Sequence, residues 1–351
     1  MKNTVGELVQ VATLRNERSS TGPRSTSTNL QRLSKRLLIG GFAMSIVLVS
    51  ILTFAGSGVK ALASSPPGCG PDSPGSTTLT LRVDGYTRVV IVHVPSGSTN
   101  LRPMALILNL HGSTGSAATQ VAFTNMDATA NANRFIVAYP QAYIAAGSGF
   151  QWNNPPLYGG AAVPPDSPND AKFLVTLVKI LQRDYCINPR EVYATGHSGG
   201  AREVSLLGCV ASKVFAAIAP VDGVRRPLPC NSLRAVSVIA FHGSADPVNP
   251  WNGNGQPYWT YSVLTAMRFW GQQDHCSHSS TSRRGDSTVV FVRYFGCANG
   301  AVAELYEVIG EGHDWPGGPT APPIPVQGGF KVISINANQL MWSFFKAHRL
   351  G

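Results

Sequence analysis

The segment EVYATGHSGG at 191–200 runs from an apolar strand-like stretch through G-x-S-x-G into a helix-compatible one. In that setting the serine sits on a turn so tight that the positions two before and two after it must be small, and its hydroxyl is pushed above a sheet. A serine hydroxyl becomes nucleophilic only when a base takes its proton, and the base needs an acid to fix its tautomer. Asp246 directly follows the apolar run 236–241, in HGSADP, and His313 directly follows the run 304–308, in GEGHDWPGG. The chain order Ser, Asp, His and the strand-end placement are those of a nucleophilic triad. Ser198 is therefore expected as nucleophile, His313 as general base and Asp246 as the acid that orients it. The chemistry is two-step acyl transfer, with the N–H of Gly199 at the helix start aimed at the oxyanion.

Rivals exist for some of these roles. Asp222 also follows an apolar run, 216–221, and stands as the alternative acid. His111 and His242 lie at strand ends, but each precedes a glycine and neither has the chain position of the base; they read as partly buried histidines bonded to backbone. His275 and His278 flank Cys276 in a polar stretch and read as surface residues, while Asp170 reads as a cap or support for the helix it opens. The turn LHGSTGS at 110–116 is similar to the loop that supplies a second oxyanion donor in esterases, here the N–H of Ser113 or of its neighbour Thr114. Trp152 and Trp315 are candidates for the walls of an aromatic-accepting pocket, and Thr114 is a further candidate for substrate contact.

The elements that must position these groups follow from the pattern. Residues 78–95 give two alternating runs around Asp84-Gly85, a hairpin signal. Apolar β-rich runs at 104–110, 135–139, 192–195, 216–221, 236–241, 289–295 and 304–308 come next, interleaved with helix-like segments at 117–133, 170–185, 199–211, 259–273 and 336–348. That alternation predicts an α/β architecture, a mostly parallel central sheet with helices on both faces. Ligands in such sheets bind beyond the carboxyl ends of the strands, where the candidate residues fall.

The 351 residues, 43% apolar and 13% charged, supply one large core. The expected division is a leader at 1–63, a Pro/Gly/Ser linker at 64–76 and a catalytic domain at 77–351. Within the leader, Arg32, Lys35 and Arg36 precede an uncharged apolar stretch at 37–54, and Ala61-Leu62-Ala63 follows it. This order is that of a secretory signal cleaved after Ala63, with a retained membrane anchor as the alternative. Eight basic and two acidic residues in 1–63 hold +6 of the net charge of +10, and the remaining +4 is too little for a nucleic-acid partner. The six cysteines all lie downstream, an even set in an exported chain, and no C-x-x-C pair points to a metal. No metal or organic cofactor is implied, and contact with a membrane is expected only through an uncleaved leader.

Taken together, these motifs resemble the secreted feruloyl esterases and the related polyhydroxybutyrate-depolymerase-like esterases. The likeness runs from GCG at 68–70 through His111-Gly112, VAYPQ at 137–141, Trp152-Asn153, CINP at 186–189, FAAIAP at 215–220 and the Asp246 loop to GHDWPG at 312–317. It implies the α/β-hydrolase fold and a secreted serine carboxylic ester hydrolase. The implied substrate is a feruloyl or other aryl ester of plant polysaccharide, with a polyhydroxyalkanoate or short-chain aliphatic ester as the alternative. A catalytically silent secreted binding module on the same scaffold is the alternative of another class. All six cysteines have counterparts in the feruloyl-esterase branch, and the expected pairs are Cys69–Cys186, Cys209–Cys230 and Cys276–Cys297. Three features depart from the family pattern. Ala201-Arg202-Glu203 follows the nucleophile where relatives carry small residues and a methionine or tyrosine, so a charged pair is expected to narrow or polarise the acyl pocket. Asp222 replaces a small residue, and the proline-rich 319–325 lengthens the segment after His313.

Overall fold

A computed structural model describes Cys69 and residues 73–96, 102–154, 166–284, 287–319, 328–330 and 333–351. The expected leader at 1–63, most of the linker at 64–76 and residues 320–325 lie outside the described residues. Among the described residues no helix is long and apolar enough to cross a membrane.

The strands are β1 (Gly75–Val83), β2 (Tyr86–Val94), β3 (Met104–Leu110), β4 (Ile136–Pro140), β5 (Ile144–Ala146), β6 (Gly149–Gln151), β7 (Ile187–His197), β8 (Ala217–Val221), β9 (Ser237–Gly243), β10 (His278–Arg284), β11 (Val289–Phe295) and β12 (Ala303–Val308). The helices are α1 (Ala117–Thr124), α2 (Met126–Asn133), α3 (Asp170–Asp184), α4 (Gly199–Val210), α5 (Val263–Gln273) and α6 (Ala337–Ala347). Ten strands form one sheet in the order β1-β2-β4-β3-β7-β8-β9-β12-β11-β10. From β4 through β12 every neighbouring pair is parallel, and the two pairs at each end are antiparallel. The central strands are mostly apolar because both faces are covered, and every residue of β3, β8 and β9 is buried, the polar Asn109, Ser237 and His242 included. One core cluster joins Phe173, Leu177, Leu207, Val263 and Trp270 of α3, α4 and α5 to one face. The other joins Phe123, Ala130, Met341 and Phe345 of α1, α2 and α6 to the opposite face.

Three local differences from the sequence reading have physical causes. The single helix expected at 117–133 is two, because Asn125 turns left-handed at φ 47° and its N–H closes back on Val121. The helix expected from 259 begins at Val263 with Ser262 as its N-cap, and Trp259 is instead buried in the preceding loop with its indole N–H on the Pro250 carbonyl, 2.7 Å away. The strand β10 was not anticipated: HSSTSRR is exposed along its whole length and has no apolar alternation. The cysteines pair as Cys69–Cys186, Cys209–Cys230 and Cys276–Cys297.

Candidate active site

Because β3, β7, β8, β9 and β12 run parallel, the loops that follow them leave at one edge of the sheet. Those loops carry His111 to Ser113, Ser198, Asp222, Asp246 and His313. Ser198 sits between β7 and α4 at φ 53° and ψ −114°, a strained conformation for a residue with a side chain. Its N–H donates to the Val221 carbonyl at 2.9 Å, which locks the turn to the neighbouring strand. The flanking glycines are a matter of space: a Cβ on Gly196 would lie 2.8 Å from the Leu110 carbonyl oxygen, and one on Gly200 would crowd the Leu110 and His111 carbonyls at 2.5 Å.

Asp246 and His313 come together. His313 Nδ1 lies 2.7 Å from Asp246 Oδ2, so Nδ1–H donates to the carboxylate and Nε2 is left as the basic nitrogen. The other oxygen, Oδ1, accepts the N–H groups of Val248 and Asn249, both at 2.8 Å. Burial pushes the Asp246 carboxyl up, but the hydrogen bond and charge of His313, with His242 and the Asn249 N–H, outweigh it and hold the group below the usual carboxylate value. Ser198, Asp246 and His313 are 7%, 3% and 6% exposed, so the serine and the imidazole keep a narrow opening to solvent.

Asp222, the alternative acid, does not hydrogen-bond to His313. Its Oδ1 accepts the Gly243 N–H and its Oδ2 the Asp314 N–H, each at 2.9 Å. Burial, then the charges of Asp246 and Glu311, push its carboxyl well up, against the pull of those two N–H groups. His242 donates through Nε2 to the Asn249 carbonyl at 2.8 Å and stacks on Trp259, and burial lowers it to about 4. His111 donates through Nδ1 to the Gly112 carbonyl at 2.7 Å and accepts the Ala142 N–H at Nε2, which fixes one neutral tautomer; burial lowers it to about 4 as well. Both are backbone-bonded core histidines. His275 and His278 are exposed. His197 drew no attention in the sequence, being the variable position of G-x-S-x-G. Its ring nevertheless packs 4.5 Å from that of His313 and 4.8 Å from that of Phe123, and burial holds it well below the usual histidine value.

The turn after β3 reaches Ser198. A Cβ on Gly112 would stand 3.3 Å from Ser198 Cβ, and one on Gly199 would stand 3.1 Å from the Ser113 N and overlap the Ser113 side chain. The Thr114 N–H is committed to the Phe150 carbonyl at 2.9 Å. The short hairpin of β5 and β6 thus shapes this turn. Trp152 and Trp315, expected as pocket walls, are both in the core. Trp152 is 3% exposed with its indole N–H on the His111 carbonyl at 2.7 Å, and Trp315 is fully buried with its N–H on Asn338 Oδ1 at 2.9 Å. A closed indole supports the loop in front of it and offers no face to a ligand. The expected charged pair also splits: Arg202 lies 5.1 Å over the Tyr258 ring, whereas Glu203 is fully buried and accepts from Asn154 Nδ2 at 2.8 Å. Asp170 bridges two elements, pairing with Arg88 of β2 at 2.7 Å and accepting the Asn153 N–H at 2.7 Å, while Asn169 caps α3.

Ligand atoms of His197, Asp222 and His313 lie within 4.8 Å of one another, as do those of Asp222, His242 and Asp246. Both trios depend on Asp222, whose two oxygens are already taken by backbone N–H groups.

Comparison with known proteins follows the same lines. Residues 89–311 match the family model described as Esterase PHB depolymerase. Feruloyl esterase B of Piromyces equi is 26% identical over 241 residues, 64% of this chain and 42% of that protein. Poly(3-hydroxyalkanoate) depolymerase C of Paucimonas lemoignei is 24% identical over 251 residues, 64% of this chain and 58% of that protein. The chain thus spans about half the length of these curated relatives. Among solved structures, the acetyl xylan esterase from Aspergillus awamori superposes with a TM-score of 0.52 at 12% identity, over 68% of this chain and 94% of that one. The likeness gives the fold, which is of the α/β-hydrolase type.

Proposed function

We propose that this chain, which belongs to the esterase PHB depolymerase family, is a secreted serine carboxylic ester hydrolase working through Ser198, His313 and Asp246. The observation that carries the reading is the 2.7 Å bond from His313 Nδ1 to Asp246 Oδ2, made between loops of adjacent parallel strands. It leaves Nε2 free to take the Ser198 proton as the hydroxyl attacks an ester carbonyl. The N–H groups of Gly199 and Ser113 receive the oxyanion; the alcohol leaves with the proton from His313, and water, activated by the same imidazole, releases the acid. Asp246 stabilises the imidazolium formed in each half-reaction.

For the substrate, the match to a feruloyl esterase favours feruloyl or other aryl esters of plant polysaccharide. The match to a polyhydroxyalkanoate depolymerase supports the second reading, an aliphatic polyester or short-chain ester. Release of ferulate from feruloylated arabinoxylan, measured against release of hydroxybutyrate from polymer films, separates the two. Three disulfides are in keeping with an oxidising compartment and export. Covalent labelling by a fluorophosphonate, abolished in Ser198→Ala, tests the mechanism. Intact protein that takes up no label would instead support a silent binding module.

A further inference from the structure

Asp222 belongs to neither the acid loop nor the histidine loop, yet it is bonded to both. It follows β8, is 1% exposed and has a left-handed backbone at φ 48°. One carboxylate oxygen holds Gly243, three residues before Asp246, and the other holds Asp314, next to His313. Its carbonyl accepts from Asn249 Nδ2 at 2.6 Å, and the Asn249 N–H in turn donates to Asp246. A single buried side chain thus clasps the two loops whose spacing sets the 2.7 Å bond between acid and base.

The surroundings of this carboxyl are themselves rich in titratable groups. The ionisable groups around it are His197 from β7, His242 and Asp246 from β9 and its loop, and Glu311, His313 and Asp314 from the loop after β12. His197 Nε2 and His242 Nδ1, each 3.7 Å from an Asp222 oxygen, have no hydrogen-bond partner among the described residues. An Asp222 oxygen also lies within 4.8 Å of a His313 ring nitrogen. Burial and the charges of Asp246 and Glu311 push the Asp222 carboxyl well up, against the two N–H bonds.

We propose that Asp222 is a positioning residue of this active site: its bonds to Gly243, Asp314 and Asn249 hold the acid and histidine loops in register. The inference rests on the acyl-transfer reading above, so the experiment separates the two. Full-length protein and Asp222→Asn are compared for fluorophosphonate labelling and for hydrolysis of p-nitrophenyl acetate across pH. The variant is expected to lose about tenfold or more in kcat with KM within about twofold. Restoring the carboxylate in Asp222→Glu is expected to recover part of the lost kcat, with KM again unchanged. A merely structural role would lower the transition temperature and the labelled fraction without a selective loss of kcat. Wild-type kcat and KM in Asp222→Asn would overturn the proposal while the acyl-transfer reading stands. Should that variant fail to fold, the same readings on Asn249→Ala, which loses the bond to the Asp222 carbonyl, are expected to show a lower kcat at constant KM, and an unchanged kcat overturns the proposal. Wild-type protein that neither labels nor turns over overturns the acyl-transfer reading, and this one with it.

Discussion

Replacing Asp246 by asparagine separates its two duties. In the native site Oδ1 accepts two backbone N–H groups and Oδ2 accepts the His313 Nδ1–H. Asparagine keeps the two backbone bonds by placing its amide oxygen at Oδ1, so the loop is retained and its NH2 faces the imidazole. A donor there forces the His313 proton from Nδ1 to Nε2, and the ring can no longer take a proton from Ser198. The charge that stabilises the imidazolium disappears in the same step. The expected loss in kcat is about ten thousandfold, or about 5.4 kcal/mol in the barrier, the scale of the same change in a serine protease. Initial rates with p-nitrophenyl acetate measure it, beside thermal melts in which the transition temperature stays within a few degrees of wild type. A kcat within about tenfold of wild type would refute the argument and shift the acid role to Asp222.

Burial pushes the Asp274 carboxyl from its ordinary 3.8 to about 7, so the native state holds a proton that the unfolded chain releases between those values. The stability tied to it is present below pH 4 and lost as pH rises through about 7. Asp274→Asn should accordingly melt above wild type at pH 8, with the gap closing toward pH 4; parallel melting curves at all pH values would contradict this. Asp170→Ala strands the Arg88 guanidinium, 1% exposed, without its anion. A loss of about 3–5 kcal/mol in denaturant unfolding is expected, and a loss below about 1 would show that water reaches the cation. The Cys69–Cys186 bridge spans 117 positions and Cys276–Cys297 spans 21. Removing the first should cost about 4–5 kcal/mol and the second about 3, read from calorimetric melts of paired Cys→Ala variants.

Much of this was legible in the residues because burial on both faces leaves a plain mark. The stretch at 104–110, apolar but for Asn109, reads as a strand and is β3, buried end to end. The candidate triad was legible through chain order and strand ends. The choice between Asp222 and Asp246 was not, since both follow a strand; it turns on which carboxylate an extra turn of loop delivers to the imidazole. The Thr114 alternative was equally open, because it depends on a bond to Phe150 from a hairpin with strands of three residues. Trp152 and Trp315 misled for a related reason, since composition near a catalytic residue does not say whether an indole faces the cleft or backs it. His197 carried no signal at all. Its contacts arise only when β7, which ends at His197, and β12, whose following loop carries His313, are brought into one sheet.

The end of the sheet formed by β10 has a consequence for the molecule in a crowd. A terminal strand presents unpaired amides that a second chain can zip onto, and an apolar terminal strand invites fibres. Here the last strand is histidine, serine, threonine and two adjacent arginines, all in water. Any copy docking there must strip hydration from hydroxyls and bring guanidinium groups side by side. Sheet growth is thereby opposed by solvation and repulsion, at the end of the sheet where the pattern of apolar residues stops.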